Sequence, residues 1–129
     1  MEVVKERVTV LTNFEVLSHL RNVKKEEGEL PKNDRCKTLA TIVYETQKYL
    51  NKSPAATQSE ESIAQLIPKL RPFKLTGAET LQIINLRPSA PTDIQLLVEE
   101  TEERFPDEEE LNKLVETVTE CLPAPVRKT

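Results

Sequence analysis

Any reactive site in this chain would have to be built from few groups. Its 129 residues include one histidine, His19, and two cysteines, Cys36 and Cys121. An imidazole beside a hydroxyl or thiol can act as its general base. No Ser–His or Cys–His motif surrounds His19, which lies between Leu17 and Leu20 and reads as a partly exposed structural histidine. One histidine and two distant cysteines fall short of a zinc set. Gly77 stands near the start of a predicted helix, but a lone glycine does not cradle phosphate. Carboxylates are plentiful in EETEERF and PDEEE. They recur at helix-surface spacing, however, with no apolar bracket to raise one pKa as acid catalysis requires. The expectation is no catalytic residue, no metal and no cofactor, in a chain that is not an enzyme by itself.

Charge points to proteins rather than phosphates. From Asp93 to Glu120 there are eleven acidic residues against two basic ones, Arg104 and Lys113. The first 92 residues carry fourteen Lys or Arg against eleven Asp or Glu. An acidic half repels nucleic acid over a Debye length of ~8 Å and attracts a basic protein surface instead. A solvated helix face is the plainer reading of such a run. Lys69, Arg71, Lys74 and Arg87, with Lys48 and Lys52, form a basic group around the proline turns. Few aromatics interleave with them for base stacking, so little or no direct nucleic-acid contact is expected.

The elements that would position these groups are helical. Two glycines, nine prolines and an aliphatic rather than aromatic core composition favour an all-α architecture. The N-terminus MEVVKERVTV is charged throughout, and no run approaches the ~20 apolar residues of a membrane span. An intracellular, reducing location follows as the expectation, with a Cys36–Cys121 disulfide disfavoured.

Residues 3–11, VVKERVTVL, alternate in part like a strand. With no second strand to pair with, this segment either joins a partner's sheet or frays. Thr12 and Glu15 fit a capping box, starting a helix that fades near Val23. A charged, mobile loop is expected over 24–37, then helices over about 38–51 and from Ser59 to the region of Pro68. Thr76 with Glu79, and Thr92 with Gln95, fit capping boxes on either side of LRPSAP, giving two helices joined by a stiff corner. Asp107 caps a last helix with Leu111, Leu114, Val115, Val118 and Leu122 on one face. Glu100 and Arg104 are spaced for an exposed ion pair. This makes about six helices, followed by a disordered tail.

Three stretches carry a family resemblance: LTNFEV (11–16), TIVYETQKYLNKSP (41–54) and KLTGAETLQIINLRPSAPTDIQLLVEETEERF (74–105). In this order and spacing they resemble the small helical stalk subunit of eukaryotic RNA polymerase III. That family is also called the calcitonin gene-related peptide receptor component, and is the counterpart of the fourth polymerase II subunit. The match runs from Leu11 to Leu122 and is most specific in LRPSAPTDIQLLVEETEERF and YETQKYL.

The resemblance implies an HRDC-like helical domain, which falls over 38–122, after a docking strand and helix over 1–23 and the charged loop over 24–37; that loop and the tail over 123–129 carry no resemblance. It implies a heterodimer with a larger stalk subunit of tip and OB-fold domains, attached to the polymerase core. It also implies a nuclear, non-catalytic part in initiation at tRNA and 5S RNA genes. The family's second name implies a role in receptor signalling, which no membrane or secretory feature of this sequence supports separately. Val8, Val10, Leu11 and Phe14 are then candidates for packing on the partner's tip domain. Leu86, Arg87 and Pro88, at the corner, either touch the partner or pack internally. Glu99, Glu100, Glu103, Glu108, Glu109 and Glu110 form a candidate docking face for an initiation factor. The alternative is a free-standing helical nucleic-acid-binding module.

Overall fold

Side-chain caps decide where most helices begin. The computed structural model describes residues 9–125 and is all-helical there, with seven α-helices and three short 3-10 turns. Helix α1 (Asn13–Glu29) starts at a complete capping box. Thr12 N–H donates to Glu15 Oε1 at 3.0 Å, and Glu15 N–H donates to Thr12 Oγ1 at 3.1 Å. The same reciprocal pair opens α4 (Gly77–Leu86) between Thr76 and Glu79. Ser59 and Ser62 open α3 (Glu60–Leu70). Asp107 Oδ1 accepts from Glu109 N–H at the start of α7 (Glu108–Cys121).

Several expected boundaries are corrected. Helix α1 does not fade at Val23 but runs on to Glu29, into the stretch read as loop. The cause is a distant cap. Arg35 donates through Nη2 to Gly28 O at 2.7 Å and through Nε to Leu30 O at 2.8 Å, satisfying carbonyls at the end of the helix. Pro68 sits in the last turn of α3, as expected, and the helix ends two residues on, at Leu70. The hydrogen bond that Pro68 cannot make would have gone to Ala64, and both residues face solvent, so water can take the freed carbonyl.

The Thr92–Gln95 capping box does not form. Helix α5 (Pro91–Leu97) takes Ala90 as N-cap without a side-chain bond, and Pro91 supplies the helical φ at its first position. The single helix expected after the corner is two, because the chain breaks before α6 (Thr101–Arg104), where Glu100 adopts a left-handed φ of 53°. Of the expected strand, residues 3–8 lie outside the described residues. Thr9, Val10 and Leu11 are in irregular backbone.

Two apolar cores result. The larger joins α3 through α7, with Leu66, Ile83, Ile94, Leu114, Val118 and Leu122 fully shielded. The smaller lies where α1, α2 (Lys37–Leu50) and the 3-10 turn Pro54–Thr57 meet. It contains Leu17, Leu50 and Ala55, with Phe14, Val16 and Leu20 at its margin. Polar bonds tie the two together. Asn13 N–H donates to Asn85 Oδ1 at 2.8 Å, and the buried Gln58 donates through Nε2 to Ile84 O at 2.6 Å. Among the described residues, no helix is long and apolar enough to cross a membrane.

Candidate partner-binding surfaces

The single histidine and the cysteines do not converge. His19 lines a shallow groove with Phe14, Glu15, Ser18, Asn22 and Glu60. Cys36 is exposed, Cys121 is buried in the larger core, and both thiols are free. Among the described residues, no group of three or more His, Cys, Asp or Glu is placed to hold a metal.

The strongest electrostatic feature was not visible as a motif. Glu79 is buried in α4, and both of its carboxylate oxygens accept from Arg104 Nη1, at 2.8 and 3.0 Å. Its Oε2 also accepts from Glu99 N–H at 3.1 Å, and its Oε1 from Thr76 N–H at 2.9 Å. The Arg104 guanidinium donates further to Glu99 O and Lys74 O. The expected Glu100–Arg104 pair is therefore replaced by Glu79–Arg104. The Arg104 hydrogen bond is the main reason that the Glu79 carboxyl is lowered to about 2, with backbone donors from Thr76 and Glu99 helping against the opposing effect of burial. This network also explains the α5–α6 break. Both backbone polar groups of Glu99 are taken by Glu79 and Arg104, so helical continuation is not needed to satisfy them.

Around this clamp the candidate acidic residues are all at the surface. Glu99 and Glu100 lie in the turn, Glu103 on α6, and Glu108, Glu109 and Glu110 in the first turn of α7. The last three sit at the positive end of the α7 dipole, a favourable place for carboxylates.

The candidate corner residues divide. Arg87 is left-handed, with φ 45°, and its N–H donates to Ile83 O, ending α4. Its side chain turns inward, donating through Nε to Leu122 O at 3.0 Å and through Nη2 to Thr119 O at 3.4 Å. Arg87 thus caps two helices at once, a role carried by carbonyls that no sequence spacing reveals. Pro88 is buried, while Leu86 faces out. The basic group loses Arg87, whereas Lys69, Arg71 and Lys74 remain exposed.

At the N-terminal end, Val8 lies outside the described residues, Val10 and Leu11 are exposed, and Phe14 is half-buried beside the smaller core. The larger apolar surface is on the helices that follow. Ile42, Tyr44 and Tyr49 of α2 are 57%, 59% and 71% exposed, and Leu30 and Leu39 are exposed as well. Val23, Leu39, Ala40, Val43 and Tyr44 line a largely apolar groove of about 250 Å³ between α1 and α2. Ile42 and Tyr49 share the helical spacing of the buried Val43 and Leu50 yet lie exposed.

Comparison with known proteins places the chain in a family. A family model described as RNA polymerase Rpb4 matches residues 10–122. A protein named DNA-directed RNA polymerase III subunit rpc9, from Schizosaccharomyces pombe, is 33% identical over 130 residues, covering 95% of this chain and 100% of that protein. A Dictyostelium discoideum protein of the same name is 29% identical, covering 90% of this chain and 88% of its own length. A Saccharomyces cerevisiae protein named DNA-directed RNA polymerase III subunit RPC9 is 39% identical over 72 residues, 56% of this chain and 44% of that one.

Proposed function

The chain belongs to the RNA polymerase Rpb4 family, and from that premise we propose that it is a non-catalytic subunit of RNA polymerase III. In this reading it pairs with a larger stalk subunit of tip and OB-fold domains, is nuclear, and acts at initiation on tRNA and 5S RNA genes. The observation that carries the pairing is the set of exposed apolar side chains on α2, namely Leu39 and Tyr44 at the groove against α1, and Ile42 and Tyr49 outside it. Singly exposed aliphatics are ordinary, but contiguous ones around a groove mark an interaction surface. Val10 and Leu11, both exposed, and the half-buried Phe14 are further candidates for that contact at the N-terminal end. The exposed carboxylates from Glu99 to Glu110 supply the second contact, steering a basic surface of an initiation factor toward the bundle.

The rival module that binds nucleic acid alone is weakened, because Arg87 of its basic group is held by the end of α7. Affinity purification of the tagged full chain at moderate salt tests the reading. The expected recovery is RNA polymerase III with its larger stalk subunit, lost on Ile42→Glu. Recovery of nucleic acid without polymerase would sink it.

A further inference from the structure

The two apolar cores meet at a seam that is polar and only partly filled. Leu17, Leu50 and Ala55 belong to one core and Leu66, Ile83 and Ile94 to the other, with no buried residue common to both. Between α1 and α3 the seam stays open as two adjoining grooves of about 280 and 250 Å³, which share Phe14, Glu15 and Glu60. The chain passes from the α1–α2 pair to the bundle once, through the 3-10 turn Pro54–Thr57 and then Gln58 and Ser59. Across the seam, hydrogen bonds converge on two consecutive residues of α4, Ile84 and Asn85. We propose that Gln58 and Asn85 form a latch that sets the angle between the α1–α2 pair and the bundle, and that the pair pivots at Gln58–Ser59 when the latch opens.

Each bond uses a backbone group at a helix end that its own helix leaves without a partner. Asn13 N–H, in the first turn of α1, donates to Asn85 Oδ1 at 2.8 Å. Ile84 O would accept from the N–H four residues on, but that residue is Pro88, which has none. Gln58 Nε2 takes that place at 2.6 Å. A carbonyl only accepts, so the Gln58 amide must turn its nitrogen toward Ile84. This leaves Gln58 Oε1 buried with no hydrogen-bond partner among the described residues. Closing the latch therefore gains one bond and forfeits another, while opening it returns Ile84 O and both ends of the amide to water. The gain and the loss are of the same order, so the latch fixes an angle without much deepening the fold. The joint itself is extended, with φ/ψ of −79°/157° at Gln58 and −137°/163° at Ser59. Rotation there breaks no bond inside a helix. The angle aims Ile42 and Tyr49 of α2 relative to the exposed carboxylates from Glu99 to Glu110. The inference goes beyond the polymerase reading, since it concerns how the free chain joins its own two cores.

Double electron–electron resonance on the full-length chain tests it. Spin labels go on the exposed Cys36, beside α2, and on Glu116→Cys, exposed on α7, with Cys121→Ala to leave two thiols. A single narrow distance is expected with the latch intact. Gln58→Met keeps the side chain's length and removes both amide atoms. It should broaden the distribution or add a second distance, and Asn85→Ala should do the same. The two together should lose the narrow distance altogether. Asn85→Asp keeps the acceptor for Asn13 N–H and should keep the narrow distance. The circular dichroism spectrum should be unchanged in every variant and Tm little changed. A broad distribution with the latch intact, or a narrow and unshifted one in the double variant, would overturn the proposal. So would broadening that comes only with loss of helical signal, or equal broadening by Asn85→Asp and Asn85→Ala.

Discussion

The α1–α2 pair and the α3–α7 bundle use similar helices in opposite ways. The bundle shields its apolar stripes and closes its irregular turns with side-chain bonds, Glu79–Arg104 at one end and Arg87–Leu122 at the other. The helical pair buries little beyond Leu17, Val43, Leu50 and Ala55, and leaves Ile42, Tyr44 and Tyr49 to solvent. Thus the larger core lies in the bundle, and α2 leaves more large apolar side chains to solvent than any other helix described. A protein built this way can be folded at one end and completed by a partner at the other.

Substitutions that separate these roles give a graded series. The largest effect should come from Leu114→Ala, a fully buried side chain in the bundle. A cost of about 2–5 kcal/mol is expected, read by urea denaturation with loss of both cores' signal. Glu79→Gln should cost less, on the order of 3 kcal/mol at neutral pH, from the shift of the Glu79 carboxyl to about 2. The sign is fixed by linkage. A lowered folded-state pKa stabilises fully above the unfolded value near 4.5 and is lost as pH falls toward 2. The gap between wild type and Glu79→Gln should therefore close across that acid window, as followed by Tm against pH. A gap that stayed constant would show that the carboxylate charge is not what stabilises the turn.

Arg87→Ala should cost about 1–2 kcal/mol through the lost side-chain bonds to Thr119 and Leu122 at the end of α7. Arg87→Gly should cost less, because glycine accepts the left-handed φ without strain. Hydrogen exchange in the last turn of α7 should rise in both variants. The smallest change in stability should come from Ile42→Glu, within about 0.5 kcal/mol, as for exposed positions generally. Its effect should appear only in partner binding.

What the sequence made legible was local. Thr12–Glu15, Thr76–Glu79, Ser59 and Asp107 announced their helices because cap and capped amide lie within a few residues. The α7 stripe was equally plain. What stayed hidden depended on partners far along the chain. Arg35 extends α1, Glu79 and Arg104 hold the backbone of Glu99 where the helix breaks, and Arg87 closes α7 across 35 residues. Each substitutes a tertiary partner for a helical hydrogen bond, which periodicity cannot register. The α2 spacing failed for a different reason. Its apolar positions do form one pattern, but part of that pattern faces solvent. The family resemblance, by contrast, was readable from LRPSAPTDIQLLVEETEERF and is matched by the Rpb4 model over residues 10–122.

Hydrogen exchange of the full chain, alone and bound to the larger stalk subunit, tests the central claim most directly. The account predicts new protection concentrated in α1 and α2, with the amides of α3, α4 and α7 little changed. Protection confined to the bundle, with α1 and α2 exchanging as in the free chain, would contradict it.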